Sequence, residues 1–125
     1  MKKRCKIIIK NFEIITDLNN SNTAFNIWGS LPIRSTVQTW GEEIYFHTSV
    51  KAELESNAKD VLILGEIAYW PSGRAIAIGF GKTPASIDNE IRLASKCNIW
   101  GNTKFDLRKL KNISNGEGII ISKLS

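Results

Sequence analysis

The chain has few of the residues from which catalytic and metal centres are usually built. Its 125 residues contain one histidine, His47, and two cysteines, Cys5 and Cys97. The cysteines are far apart and show no CxxC or mixed Cys/His spacing, which argues against a zinc site. Two reduced, buried thiols are expected, not the disulfide framework of a small secreted scaffold. His47 has no Ser or Cys partner that the sequence can place beside it, so nothing supports a nucleophilic triad. Long apolar runs are also missing. The basic start, Lys2, Lys3, Arg4 and Lys6, leads into Ile7-Ile8-Ile9, and Lys10 ends that run. It is too short for a signal-peptide core or a membrane span, so a cytoplasmic protein without membrane contact is expected. Neither sign of charge dominates: 17 basic against 12 acidic residues give +5. The basic residues are spread along the chain and not gathered on one face among stacking aromatics, which argues against nucleic-acid binding.

Of the breakers there are three prolines and nine glycines, and they divide the chain into short apolar pieces. The length suits a single domain over residues 1–125. Cys5 to Ile9 and Phe12 to Thr16 are rich in β-branched residues and meet at Lys10-Asn11, which predicts an antiparallel hairpin. The polar stretch Asp17 to Asn22 is a loop. Asn22 or Thr23 is expected to cap a short helix through Trp28, with Phe25 and Trp28 on its buried face, ended by Gly29 and Pro32. Alternation from Ile33 to Trp40, a turn at Gly41-Glu42 and a run from Glu43 to Thr48 predict strand, turn, strand. Val50 to Asp60 is charged and lacks a core pattern, as a surface excursion would.

Three more strands are expected at Val61 to Leu64, Glu66 to Trp70 and Ala75 to Phe80, separated by Gly65 and by Pro71-Ser72-Gly73. Lys82 to Ala94 reads as irregular, with one helical turn after Ser86. Cys97 to Trp100 is a strand closed by Gly101. Thr103 is expected to cap a second helix through Phe105, Leu107, Leu110 and Ile113, and Gly118 to Ser122 is a last strand. Many short strands set off by Gly and Pro mean an all-β fold, a sandwich or a barrel.

Several segments together carry a resemblance: Leu31-Pro32-Ile33, Trp40-Gly41-Glu42-Glu43-Ile44-Tyr45-Phe46, Gly65-Glu66-Ile67-Ala68-Tyr69-Trp70-Pro71 and Phe80-Gly81-Lys82-Thr83-Pro84. With the order of elements they resemble the small prokaryotic cyclophilin-like family, over nearly the whole chain. The resemblance implies a closed eight-stranded barrel capped by two short helices, in which alternate side chains fill the interior. It also implies where an isomerase would carry its residues. Matched on the Gly41 turn, the position of the catalytic Arg falls near Gln38, those of a Phe and a Gln near Glu43 and Phe46, and that of a His near Cys97. Arg34 comes four residues too early, about 13 Å along an extended chain. The isomerase residues are therefore not retained at their places.

The candidate cleft is walled by Trp40, Tyr69, Trp70 and Phe80, with Arg74 or Lys82 supplying charge. Neighbours such as Tyr45 and Phe46, or Tyr69 and Trp70, must face opposite sides of their strand. Glu42 and Glu43 do not form a paired acid and base, because adjacent strand residues diverge; a turn carboxylate holding backbone N–H groups is the expected role. Gly79-Phe80-Gly81-Lys82-Thr83 lacks the spacing of a phosphate loop and marks a bulge or strand exit. The expected function is binding of a small molecule or a proline-containing peptide, with no cofactor and no metal. The alternatives are a prolyl isomerase with a rearranged donor and a structural subunit that forms a homo-oligomer.

Overall fold

The computed structural model describes residues 3 to 124. The chain opens on a hairpin of β1 (Arg4–Ile9) and β2 (Phe12–Leu18), joined by a two-residue turn in which Lys10 takes a φ of 53°. Period-two alternation turns Cys5, Ile7, Ile9, Ile14, Thr16 and Leu18 inward, and the register sets Ile7 opposite Ile14. Helix α1 (Asn22–Ser30) follows. Its cap is Ser21, one residue before the expected pair, and the Ser21 hydroxyl accepts the Ala24 N–H at 3.1 Å. The buried face is Thr23, Ala24 and Ile27. Phe25 does not share it: its side chain is 72 % exposed.

Strands β3 (Ile33–Thr36) and β4 (Gln38–Thr39) are one extended run interrupted at Val37. Before Val37 the run pairs with the last strand, and after it with β5 (Glu43–His47). A chain that changes partner in this way joins the two ends of the sheet. Next come β6 (Lys59–Leu62), β7 (Glu66–Trp70), β8 (Ala75–Gly79), β9 (Ile91–Thr103), a 3₁₀ helix (Leu107–Asn112) and β10 (Gly118–Lys123). The hydrogen-bonded order is β3-β10-β1-β2-β9-β7-β8-β5-β4, with β6 attached to β9 outside that path. Counted with β3 and β4 as one strand, eight strands make a nearly closed antiparallel barrel. The Ser35 hydroxyl donates to the His47 carbonyl at 2.7 Å across the closing seam.

The largest departure from the sequence reading is β9. It begins at Ile91, inside the stretch read as irregular, and runs through Gly101 to Thr103. Its second half is a barrel stave between β2 and β7. Its first half pairs with β6 instead. A register shift opposite Ile67 and Ala68 marks a bulge, and a bulge re-aims a side chain. Trp100 is consequently buried, its Nε1–H donating to the Ala68 carbonyl at 3.1 Å. Thr103 caps no helix: its hydroxyl donates to the Ile15 carbonyl and accepts from the Phe105 N–H. Asp106 caps the 3₁₀ helix.

Burial falls into two clusters. One fills the barrel with Ile7, Ile14, Ile27, Ile44, Phe46, Ile67, Tyr69, Ile76, Ile78 and Trp100, among others. The other holds Leu62, Ala68, Ala77, Leu93 and Cys97, with Tyr45, Trp70, Ile91 and Ile99 against them. On β5, β7 and β8 the members of this second cluster alternate with members of the first, so the cluster lies on the outer face of the barrel wall. It is roofed by β6 and the first half of β9. Both Cys5 and Cys97 are buried free thiols. Among the described residues, no helix is long and apolar enough to cross a membrane.

Candidate functional site

A cavity of ≈ 220 Å³ opens in the outer cluster, lined by Trp40, Glu43, Tyr45, Trp70, Ala77, Leu93, Ala94, Ser95 and Cys97. Three elements of the barrel wall build it. On β5, Ile44 and Phe46 fill the barrel, so parity sends Glu43 and Tyr45 outward. On β8 the outward residues are small, Ala75, Ala77 and Gly79, which leaves room above the sheet. A Cβ on Gly79 would lie 2.6 Å from Ile91 Cγ2, so the roof rests directly on that glycine. On β7, Trp70 turns out, and its ring packs so close to Gly73 that a Cβ there would fall 2.3 Å from it. Tyr45 meets Trp70 edge to face, centroids 6.5 Å apart at 90°. The Tyr45 hydroxyl donates to Gln38 Oε1 at 2.9 Å, and its ring also meets His47. His47 Nδ1 is 2.9 Å from the Gly73 carbonyl and donates to it.

Among the described residues, three buried side-chain polar atoms have no hydrogen-bond partner: Thr16 Oγ1, Glu43 Oε1 and Trp70 Nε1. Two of the three belong to residues lining this cavity. Buried polar atoms are nearly always paired, because an unmade bond costs the full desolvation of the group. Here one carboxyl oxygen and an indole N–H are left without a partner among aromatic and aliphatic walls. Burial pushes the Glu43 carboxyl up from its ordinary 4.5 to about 7. Cys97, whose Sγ is 3.4 Å from the Ser95 carbonyl, is pushed up to about 12 by burial first and then by the carboxyl groups of Glu43 and Asp60. Its thiol is an apolar wall element, not a nucleophile. Among the described residues, no Lys or Arg lines the cavity.

The six residues expected to share a cleft are divided: Trp40 and Trp70 come together at the cavity, and Tyr69 and Arg74 at a separate basin. Trp40 and Trp70 line the cavity. Tyr69 is fully buried inside the barrel, its hydroxyl donating to the Val50 carbonyl at 2.5 Å. Phe80 also belongs to the barrel core. For Tyr69 the cause is strand parity, since its neighbour Trp70 takes the outward place. Arg74 is exposed at a turn, with a φ of 47°. With Tyr69 and Pro71 it borders a broad open basin between the start of α1 and residues 51–57, away from the cavity. Lys82 is exposed and gives only its backbone N–H to Glu42 Oε1, at 3.2 Å.

Glu42 therefore has the turn role expected of a carboxylate, while Glu43, one residue on, is the buried acid. The signal for Glu43 was its parity with Tyr45. The roof that buries it, Leu93 to Cys97, is distant in sequence. The resemblance had placed isomerase positions near Gln38, Glu43, Phe46 and Cys97; Glu43 and Cys97 line the cavity, Gln38 holds the Tyr45 hydroxyl, and Phe46 is buried in the barrel core. No group of three or more His, Cys, Asp or Glu capable of holding a metal occurs among the described residues.

The sequence model of the family described as Cyclophilin-like matches residues 3–122. The chain belongs to the cyclophilin-like family. A solved structure of similar shape is that of a hypothetical protein from Archaeoglobus fulgidus, determined in solution. It is 40 % identical with a TM-score of 0.84, over 98 % of this chain and 95 % of that one. No curated protein matches the chain.

Proposed function

We propose that this cyclophilin-like barrel is a binding protein that takes a small molecule or a short peptide segment in the cavity between β5, β7, β8 and the first half of β9. The observation that carries this reading is the pair of buried, unpartnered polar atoms, Glu43 Oε1 and Trp70 Nε1, on residues of one aromatic-walled cavity. An apolar pocket with a few polar groups is the form that small-molecule sites take. Isomerase chemistry needs a donor aimed at the prolyl amide as its C–N bond twists. With Gln38, Glu43 and Cys97 at the matched positions, and no guanidinium in the lining, that donor is not retained.

Thermal-shift screening against metabolites and proline peptides tests the reading, since a ligand of the native state stabilises by RT ln(1 + [L]/Kd). Ligands should raise the Tm of the wild type and not that of Ala77→Leu, whose larger side chain fills the cavity. Equal shifts in a folded Ala77→Leu variant would move the site elsewhere. A proline-peptide assay should give isomerisation no faster than the spontaneous rate.

A further inference from the structure

Resting on that reading of the cavity, we propose that its ligand is a small organic cation of the alkylammonium class that also carries an oxygen acceptor. Trp40, Tyr45 and Trp70 supply three aromatic walls, two of them perpendicular to each other. Aromatic faces attract an ammonium group, and most strongly where water is excluded. Glu43 is the one carboxyl in the lining, and it is only 6 % exposed. Of the cations on the roof, Lys59 pairs with Glu66 and Arg92 with Asp60 and Glu90, all at 2.8 Å, and Lys96 is exposed to solvent and does not line the cavity. A buried carboxylate without a counter-ion is costly, and a bound cation would supply one. The Trp70 N–H can only donate, and a molecule seated against it would meet it with a hydroxyl, ether or carbonyl oxygen. The cavity of ≈ 220 Å³ equals about seven waters at ~30 Å³ each, the size of a molecule of about seven heavy atoms.

Glu43 must be ionised to hold a cation. Tyr45 and His47 lie on its face of β5, Cys97 lines the same cavity from β9, Asp60 of β6, held by Arg92, acts on that thiol, and Lys96 of β9 is exposed to solvent. Glu42 is turned away toward the Lys82 N–H. With the carboxyl near 7 in the empty cavity, cation binding below that pH must release a proton. Affinity then rises about tenfold per pH unit up to about 7 and is flat above it.

The test is calorimetric titration of the wild type and Glu43→Gln with choline and with 3,3-dimethylbutan-1-ol, its neutral isostere, at about pH 6 and about pH 8. Choline should bind the wild type at least about tenfold tighter than the alcohol at the higher pH, and about tenfold weaker at the lower pH than at the higher. In Glu43→Gln the preference should vanish while the affinity for the alcohol is kept. An alcohol that binds as tightly as choline at the higher pH would overturn the cation and leave the pocket reading standing. Choline binding unmoved by Glu43→Gln would overturn the role of the carboxylate. Binding of neither molecule overturns the inference, and the pocket reading is then decided by the screen of neutral ligands and peptides.

Discussion

Glu43→Gln has a consequence for the empty protein that can be worked out with its sign. The carboxyl titrates near 7 in the fold against an ordinary 4.5, and burial is the cause. Below about 4.5 it is protonated in both the folded and unfolded states and has no effect on stability. Between about 4.5 and 7 the unfolded chain ionises while the folded chain keeps its proton, so the unfolded state gains and stability falls as pH rises. Above about 7 the loss is complete. This is the reverse of the usual surface carboxylate, whose partner lowers its pKa. A gap of about two and a half pH units at ~1.4 kcal/mol each amounts to roughly 3 kcal/mol.

Glutamine cannot ionise, so the variant lacks this slope, although its unpaired amide costs about 1–3 kcal/mol at every pH. The informative quantity is thus the stability of the wild type minus that of Glu43→Gln, measured by urea unfolding from about pH 4 to pH 8. This difference cancels every other titrating group, His47 included. It should fall by roughly 3 kcal/mol as pH rises. A flat or rising difference would mean that Glu43 is hydrated or paired in solution, and the argument from its burial would fail.

Gly41→Ala should cost more than ~1 kcal/mol: Gly41 has a φ of 59°, and a Cβ there would lie 2.8 Å from Thr83 Cα and 2.9 Å from the Lys82 carbonyl. A lower urea midpoint at unchanged slope checks it. Tyr69→Phe removes the buried bond to the Val50 carbonyl and should destabilise by about 1 kcal/mol, while leaving ligand binding in the outer cavity unchanged. Cys5 and Cys97 are buried and both pushed up to about 12, so alkylation at about pH 8 should modify neither thiol in the native protein and both after unfolding. Rapid native labelling of Cys97 would contradict the burial of its thiol in the cavity wall.

Much of the barrel was legible because β-strand alternation is local. Cys5 to Ile9, Phe12 to Thr16 and Glu43 to His47 declare their inward faces in two-residue steps, and Gly41, Gly65 and Pro71 mark where staves end. The same parity separates Tyr45 from Phe46 and Tyr69 from Trp70. The length of β9 was not legible, since Ile91 to Lys96 lacks a clean alternation and forms a strand by pairing with β6, about thirty residues earlier. Phe25 was misplaced because spacing in a short helix does not say which side meets the barrel.

Sequence alone thus determined the all-β character, the family resemblance and the opposite facing of neighbours such as Tyr45 and Phe46, because these follow from local backbone geometry and motif order. Tertiary structure alone decided the site. An outward residue on a barrel wall is ordinarily solvated, and Glu43 and Trp70 became buried and unpartnered only because the first half of β9, with β6, folds back over the outside of β5, β7 and β8. That long-range contact buries a carboxyl oxygen and an indole N–H of residues that line an aromatic cavity.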